Sequence, residues 1–133
     1  MIVADYPPNY RTIIEILGDV STHNPIFAYG NKIYNPFNVD VTPDLIAHER
    51  KHMEQQGNNP EGWWIRYLYD GDFRLSQEIE GYGEQYKFAR EHGVRGAILD
   101  WALDHMARSL SSELYGGIIS HNEARSKIRN YAD

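Results

Sequence analysis

The stretch "TPDLIAHERKHMEQQG", from Thr42 to Gly57, places two histidines four residues apart and a glutamate directly after the first of them. Thr42 is a favourable residue for a helix N-cap, and Pro43 suits the first helical position. Asp44 suits the positive end of the helix dipole, and Gly57 is a common helix terminator. The stretch therefore predicts a helix that begins after Thr42 and ends at Gly57, with both histidines inside it.

The five residues "HERKH", from His48 to His52, fit the H-E-x-x-H pattern of zinc-dependent hydrolases. Helix positions four apart differ by about 40° in direction, so both imidazoles can face one ion. Glu49 lies about 100° round from His48, where it can take a proton from bound water instead of binding the metal. The alternative is a packed core histidine beside an exposed one, with no metal.

A helical wheel favours the metal site, because it places the motif on the face that packs inward. That face carries Leu45, Ile46, Glu49, His52, Met53 and Gln56, with His48 at its edge. The other side carries Ala47, Arg50, Lys51 and Glu54. A solvated histidine pair would more naturally lie among these charges.

The remaining segments predict a mainly helical α+β fold with a small β-hairpin or sheet before the histidine helix. The predicted β elements are a hairpin of Ile26–Tyr29 and Lys32–Tyr34 around Gly30-Asn31 and a further strand over "NVDV" (38–41). The first predicted helix begins in "YRTIIEILGD" (10–19) and ends at Gly18, and a short aromatic helix begins at Trp63 and closes in a turn at Asp70-Gly71-Asp72. Further helices are predicted from about Phe73 to His92, from about Ala97 to Tyr115 and from Ser120 onward. The length of 133 residues predicts one domain spanning 1–133.

Two histidines need a third protein ligand, and the predicted helix after the aromatic segment offers Glu78 or Glu80. The buried stripe of that helix is predicted to contain Leu75, Ile79, Tyr82, Tyr86 and Ala89. Glu78 borders this stripe, whereas Glu80 falls nearly opposite, so the wheel favours Glu78 as the ligand. A salt bridge from Glu78 to Arg74 or Arg66 is the alternative.

Composition and charge restrict the possible partners and metals. The net charge is −6 and no segment is strongly basic, which argues against nucleic acid as a partner. No apolar run of membrane-spanning length and no signal segment is visible, so no membrane partner is predicted. The chain has no cysteine, so a metal must be held by histidine and carboxylate, which suits zinc in a hydrolytic site. Compartment and oligomeric state are left open.

These residues resemble the gluzincin branch of the zincin metallopeptidases, in which a second helix supplies the third zinc ligand through an E-x-x-A-type motif. "EIEG", from Glu78 to Gly81, would be the counterpart, with Tyr82 where many members have aspartate. Residues 26–90 also resemble small zincin-like proteins of bacteriophages and prophages. The resemblance implies a compact zincin-like domain, one Zn²⁺ per chain held by His48, His52 and Glu78, and a peptide or protein substrate.

The resemblance also implies roles for flanking residues. "NKIYNPFNV" (31–39) would be an edge strand that holds an extended peptide by strand addition, or else a plain structural hairpin. Gln56 or Tyr82 would orient a ligand histidine, or else simply pack.

The function expected from these features is zinc-dependent hydrolysis by a minimal metallopeptidase with Glu49 as general base. The alternative is a non-catalytic, zinc-stabilised phage-type protein with a structural or host-interaction role. Hydrolysis of a non-peptide amide is a third option, because the same residues could perform it. A phage origin would place the protein in the host cytoplasm or in the virion.

Overall fold

The computed structural model describes all residues, 1–133, and confirms the predicted mainly helical α+β fold. The elements are β1 (Ile2–Val3), α1 (Tyr10–Leu17), β2 (Phe27–Tyr29), β3 (Lys32–Tyr34), α2 (Pro43–Gln56), α3 (Pro60–Tyr69), α4 (Gly71–Glu91), α5 (Gly96–Leu110) and α6 (His121–Ala132). Two short 3₁₀ helices, Ser21–His23 and Glu113–Tyr115, lie in the connections.

The predicted hairpin is present, and it forms two strands of a three-stranded sheet ordered β1-β3-β2. β2 and β3 pair antiparallel around Gly30, whose φ of 64° is the left-handed backbone conformation that a two-residue hairpin loop requires. The third strand is β1, which runs parallel to β3 with Ile2 opposite Ile33. β3 is therefore the central strand, and the prediction that "NKIYNPFNV" forms an exposed edge strand is wrong.

The predicted strand over "NVDV" is also wrong. Asn38 has a positive φ of 55°, which interrupts an extended run. The Asn35 side chain accepts a hydrogen bond from the backbone nitrogen of Val39 at 2.9 Å and donates one to the Val39 carbonyl at 2.8 Å. These bonds satisfy the backbone of Val39 within a local loop, so it does not need a strand partner.

Helix α5 ends at Leu110, five residues before the predicted end at Tyr115. The hydroxyl groups of Ser111 and Ser112 donate to backbone carbonyls three residues earlier, at 3.1 and 2.6 Å, and this local bonding competes with helix continuation. Helix α6 begins as predicted, with the Ser120 hydroxyl accepting from the backbone nitrogen of Glu123 at 3.2 Å.

Two apolar clusters form the core, and the polar contact between α2 and α4 lies beside both of them. The first cluster contains Tyr82, Tyr86, Leu103, Met106, Ala107, Leu110, Ile119, Ala124 and Ile128. The second contains Ile13, Val20, Phe27, Trp63, Trp64, Tyr67 and Leu68. None of the helices combines the length and apolar composition needed to cross a lipid bilayer.

Candidate metal centre

Three side chains that the sequence singled out converge where α2 packs against α4. The Nε2 atoms of His48 and His52 lie 3.1 Å apart. Glu78 Oε1 lies 3.0 Å from the first and 3.2 Å from the second. Each residue is 4–5% exposed. His48, His52 and Glu78 therefore form a buried group that could bind a metal ion.

Glu78 rather than Glu80 reaches the histidines. Glu80 is only partly buried, and its Oε1 accepts a hydrogen bond from Gln55 Nε2 at 3.1 Å. The alternative salt bridge from Glu78 to Arg74 is not formed, because the Arg74 guanidinium donates to the backbone carbonyls of Tyr67, Leu68 and Tyr115. The buried face of α4 is also broader than the predicted apolar stripe, since it includes Arg74, Glu78, Gly81 and Gln85.

The ligand atoms are oriented by neighbours that leave their lone pairs free for a cation. His48 Nδ1 lies 2.9 Å from Gln85 Oε1, and His52 Nδ1 lies 2.8 Å from Gln55 Oε1. Each imidazole can thus donate through Nδ1 and present Nε2 to an ion. The Tyr67 hydroxyl donates to Glu78 Oε2 at 2.7 Å, which leaves Oε1 facing the histidines.

The spacing of the three atoms fits a small divalent ion after a slight opening. A tetrahedral ion with bonds of about 2.0–2.2 Å separates its ligand atoms by roughly 3.3–3.6 Å. The observed separations of 3.0–3.2 Å are only a few tenths of an ångström shorter. Three buried lone pairs at such distances repel one another unless a cation or a proton lies among them. The donor set therefore fits a metal ion.

Gln56 and Tyr82, the residues suggested as orienting groups, make other contacts. Gln56 Oε1 accepts from the Gly30 backbone nitrogen and its Nε2 donates to the Ala28 carbonyl, both at 2.8 Å, so it joins α2 to the hairpin. The Tyr82 ring packs edge-on against His48 with the ring centres 4.4 Å apart.

Sequence reasoning missed Gln55 and Gln85, although their spacing gives a signal. Gln55 is three residues after His52 on α2, and Gln85 is seven residues after Glu78 on α4. Both intervals return a side chain to the same helix face.

In the metal-free protein, the negative charge of Glu78 favours a proton on His52, at the place that a metal ion would occupy. Burial alone lowers the pKa of His52, but the Glu78 carboxylate outweighs this effect and raises that pKa to about 9. Burial likewise raises the pKa of Glu78, but the positive charge of His52 and the hydrogen bond from His52 Nε2 hold that pKa well below its usual range. At neutral pH, His52 is therefore protonated and Glu78 is ionised.

Metal binding is consequently expected to release about one proton at pH 7, because the ion requires an unprotonated His52 Nε2. Because the pKa of His52 is raised, the affinity for the metal should increase about tenfold per pH unit from neutral pH and level off above pH 9. Calorimetric titration with a divalent metal in two buffers of different ionisation enthalpy measures the released protons. An affinity that is already constant above pH 7 would contradict this charge state.

Glu49 lies beside His48, His52 and Glu78, which together are called the ligand group, without belonging to it. It is 5% exposed, and its Oε2 is 3.9 Å from His48 Nε2, beyond hydrogen-bond distance. Burial raises its pKa, the two histidines lower it, Glu78 raises it again, and the net shift is upward. Glu49 is thus near His48, His52 and Glu78 without bonding to them, and its role beside an ion stays a prediction.

Glu49 and the three ligand residues line a cavity of about 60 Å³ that reaches among apolar side chains of the second cluster. A water molecule needs roughly 10–15 Å³ of such space, so several can enter. A second opening of about 170 Å³ also exposes His48 and Glu49, and the two cavities share Pro25, Ile26, Leu114 and Tyr115 in their walls. Glu49 therefore lies where both cavities meet the ligand group.

Gly81 allows the histidines to approach α4, because an added Cβ would lie 2.8 Å from His48 Nε2 and 3.1 Å from His52 Cε1. Gly81→Ala is expected to weaken metal affinity by about 10–100-fold, the range found when the support of a ligand histidine is lost. Helix α4 should persist, since alanine favours a helix over glycine by about 1 kcal/mol. Competition with a metal-binding dye measures the affinity, and circular dichroism the helix.

Gly83→Ala is the matched control on the same helix. Its added Cβ would meet the ring of Tyr131, an outer side chain of α6, and not a metal ligand. Equal metal affinity in the two alanine variants would contradict the role given to Gly81.

The arrangement offers two imidazole nitrogens and a carboxylate oxygen for one ion, a second carboxylate beside them, and a cavity that meets both. A scan against protein-family models, a search of curated proteins and a search of solved structures each found no match to this chain. The chemistry of the site is therefore inferred from its own residues.

Proposed function

We propose that the protein is a zinc-dependent hydrolase, and more specifically a minimal metallopeptidase of the zincin type. The observation that carries this proposal is Glu49, a buried carboxylate on the cavity wall that is close to the ligand group but not bonded to it. A metal site that serves only stability has no use for such a group. In a hydrolytic site it is the expected proton acceptor.

His48, His52 and Glu78 would hold the ion, which is a ligand set found in catalytic zinc sites. When bound, zinc would act as a Lewis acid and lower the pKa of a coordinated water to about 7. Glu49 would accept a proton at its carboxylate and later deliver it to the leaving amine. Burial raises its pKa, which suits a carboxylate that takes up and releases a proton during the reaction.

Tyr115 is the tyrosine best placed to assist the reaction. It lines both cavities beside Glu49, and its hydroxyl lies 2.8 Å from that of Tyr82. A hydroxyl there would donate a hydrogen bond to the oxyanion that forms when a carbonyl is attacked.

A substrate would approach through the opening next to Pro25 and Ile26, and not by adding a strand at Ala28. β2 is the edge strand closest to α2, but its Ala28 carbonyl already accepts hydrogen bonds from Gln56 Nε2 at 2.8 Å and Trp64 Nε1 at 3.0 Å. An extended peptide could not replace these bonds without displacing both side chains.

A cleavage screen tests the proposal. Metal-stripped protein and the same protein reloaded with zinc would be incubated with a mixed peptide library and with simple N-acyl amides, and new termini identified by mass spectrometry. Cleavage that requires zinc and disappears on chelation is the expected result, and the preferred compounds would separate a peptidase from an amidase. A fully zinc-loaded protein that cleaves nothing would overturn the proposal.

The second candidate function, a zinc-stabilised structural or host-interaction protein, is favoured by one observation. The inner cavity of about 60 Å³ is much smaller than the roughly 300–1,000 Å³ of typical ligand pockets. For such a protein, zinc removal would lower the melting temperature. Glu49→Gln would leave the binding of the host partner unchanged.

A further inference from the structure

We propose that Gln85 and Gln55 are positioning residues for the two metal-binding imidazoles, and that Asp44 and Glu80 hold these glutamines in the required orientation. Each relay runs from a carboxylate through a carboxamide to an imidazole. This role presupposes the proposed metal site, and it explains how the protonation and direction of the histidine ligands are set.

The first relay joins Asp44 on the first turn of α2 to His48 through Gln85 on α4. Gln85 Nε2 donates to Asp44 Oδ2 at 3.1 Å, and Gln85 Oε1 lies 2.9 Å from His48 Nδ1. A carboxylate can only accept hydrogen bonds, so the NH₂ end of the carboxamide must face Asp44. The oxygen end then faces the imidazole and requires a proton on Nδ1, which leaves the Nε2 lone pair for the ion.

The second relay orients His52 and is anchored twice. Gln55 Oε1 lies 2.8 Å from His52 Nδ1. Gln55 Nε2 donates both to the backbone carbonyl of Gln77 and to Glu80 Oε1, each at 3.1 Å. Loss of Glu80 would therefore leave Gln55 held by the carbonyl, whereas Gln85 depends on Asp44 alone. The two relays differ in a way that an experiment can detect.

A neutral carboxamide next to each imidazole also suits the charge already present. Glu49 and Glu78 are both buried close to the two imidazoles, and a third carboxylate in direct contact with an imidazole would add like-charge repulsion in a region shielded from water. The relay keeps the charged anchors farther out, since Asp44 is half-buried and Glu80 partly exposed. The histidines are oriented without another negative charge beside the ligands.

Zinc affinities of a small set of variants test the relays, measured by competition with a chromophoric chelator. Gln85→Leu is expected to weaken binding by about 10–100-fold. Asp44→Leu should weaken zinc binding measurably, although Asp44 touches no metal ligand. Asp44→Asn should bind zinc like the wild type, because the asparagine oxygen still accepts a hydrogen bond from Gln85. Glu80→Leu should weaken binding less than Asp44→Leu does, because the Gln77 carbonyl still holds Gln55.

The double variant Asp44→Leu/Gln85→Leu separates positioning from a general effect on folding. If Asp44 acts only through Gln85, the double variant binds zinc no more weakly than Gln85→Leu alone. Additive losses, or equal effects of Asp44→Leu and Asp44→Asn, would overturn the relay.

Long-range ¹H–¹⁵N spectra of the imidazoles provide a readout that needs no metal. In metal-free wild type with neutral imidazoles, both histidines should carry their proton on Nδ1, which faces a glutamine oxygen in each case, and Gln85→Leu should lose this preference at His48. Protonation on Nε2 in the wild type would overturn the relays. If the spectra show the expected Nδ1 protons but zinc does not bind, the proposed metal site is wrong and the glutamines only orient two buried histidines. If zinc binds equally to the wild type and to Gln85→Leu, the metal site stands and the positioning role is wrong.

Discussion

Replacing Glu49 with glutamine is expected to lower turnover by about 10²–10⁴-fold while the chain retains its zinc. Glutamine has nearly the same shape but cannot accept the proton that hydrolysis requires. Metal binding should persist because the Glu49 carboxylate is 3.9 Å from His48 Nε2 and is not part of the ligand group. Steady-state cleavage of a peptide found in the screen measures the turnover, and elemental analysis measures the zinc.

Glu54→Gln is the matched control, because Glu54 lies on the exposed side of the same helix and its side chain is 75% exposed. It removes the same charge from α2 and should leave turnover unchanged. A Glu49→Gln protein that still cleaves at the wild-type rate would mean that another group accepts the proton. A Glu49→Gln protein without zinc would mean that Glu49 is a ligand.

Replacing Glu78 with alanine is expected to weaken zinc binding by at least about 100-fold, more than the loss of an outer hydrogen-bond partner. The change removes one of three ligand atoms and also the only carboxylate oxygen within 3.2 Å of both histidine nitrogens. It leaves two imidazoles alone in a buried space. Chelator competition on the purified variant measures the loss.

Glu80→Ala provides the comparison, since Glu80 is two residues away on α4 and faces Gln55 instead of the histidines. Its zinc affinity should stay within a few fold of the wild type, because the Gln77 carbonyl still holds Gln55. The reverse pattern, with zinc lost in Glu80→Ala and kept in Glu78→Ala, would move the third ligand and contradict the arrangement of α4.

Local signals made much of the fold predictable. The cap residues around "TPDLIAHERKHMEQQG" predicted α2 with its observed ends, and helix geometry alone placed both histidines on one face. The choice of Glu78 over Glu80 followed from their difference in direction on α4. These features depend on residues close in sequence, which is why they could be inferred.

The features that were missed depend on contacts between distant segments. The pairing of β1 with β3 joins the N-terminal residues to the hairpin, and no local pattern announces it. Gln85 was overlooked because a single apolar stripe was taken as the buried face of α4, whereas α2 covers the neighbouring polar face as well. A helix covered on two sides buries polar residues, provided that each finds a partner, as Gln85 does with His48 and Asp44.

The zinc content of the purified wild-type chain tests the central claim most directly. Protein offered zinc and then dialysed free of excess would be measured by mass spectrometry under conditions that keep it folded. The arrangement of His48, His52 and Glu78 predicts one zinc per chain. A folded chain that retains no zinc would contradict the metal centre and leave two buried histidines and a glutamate held together by a shared proton.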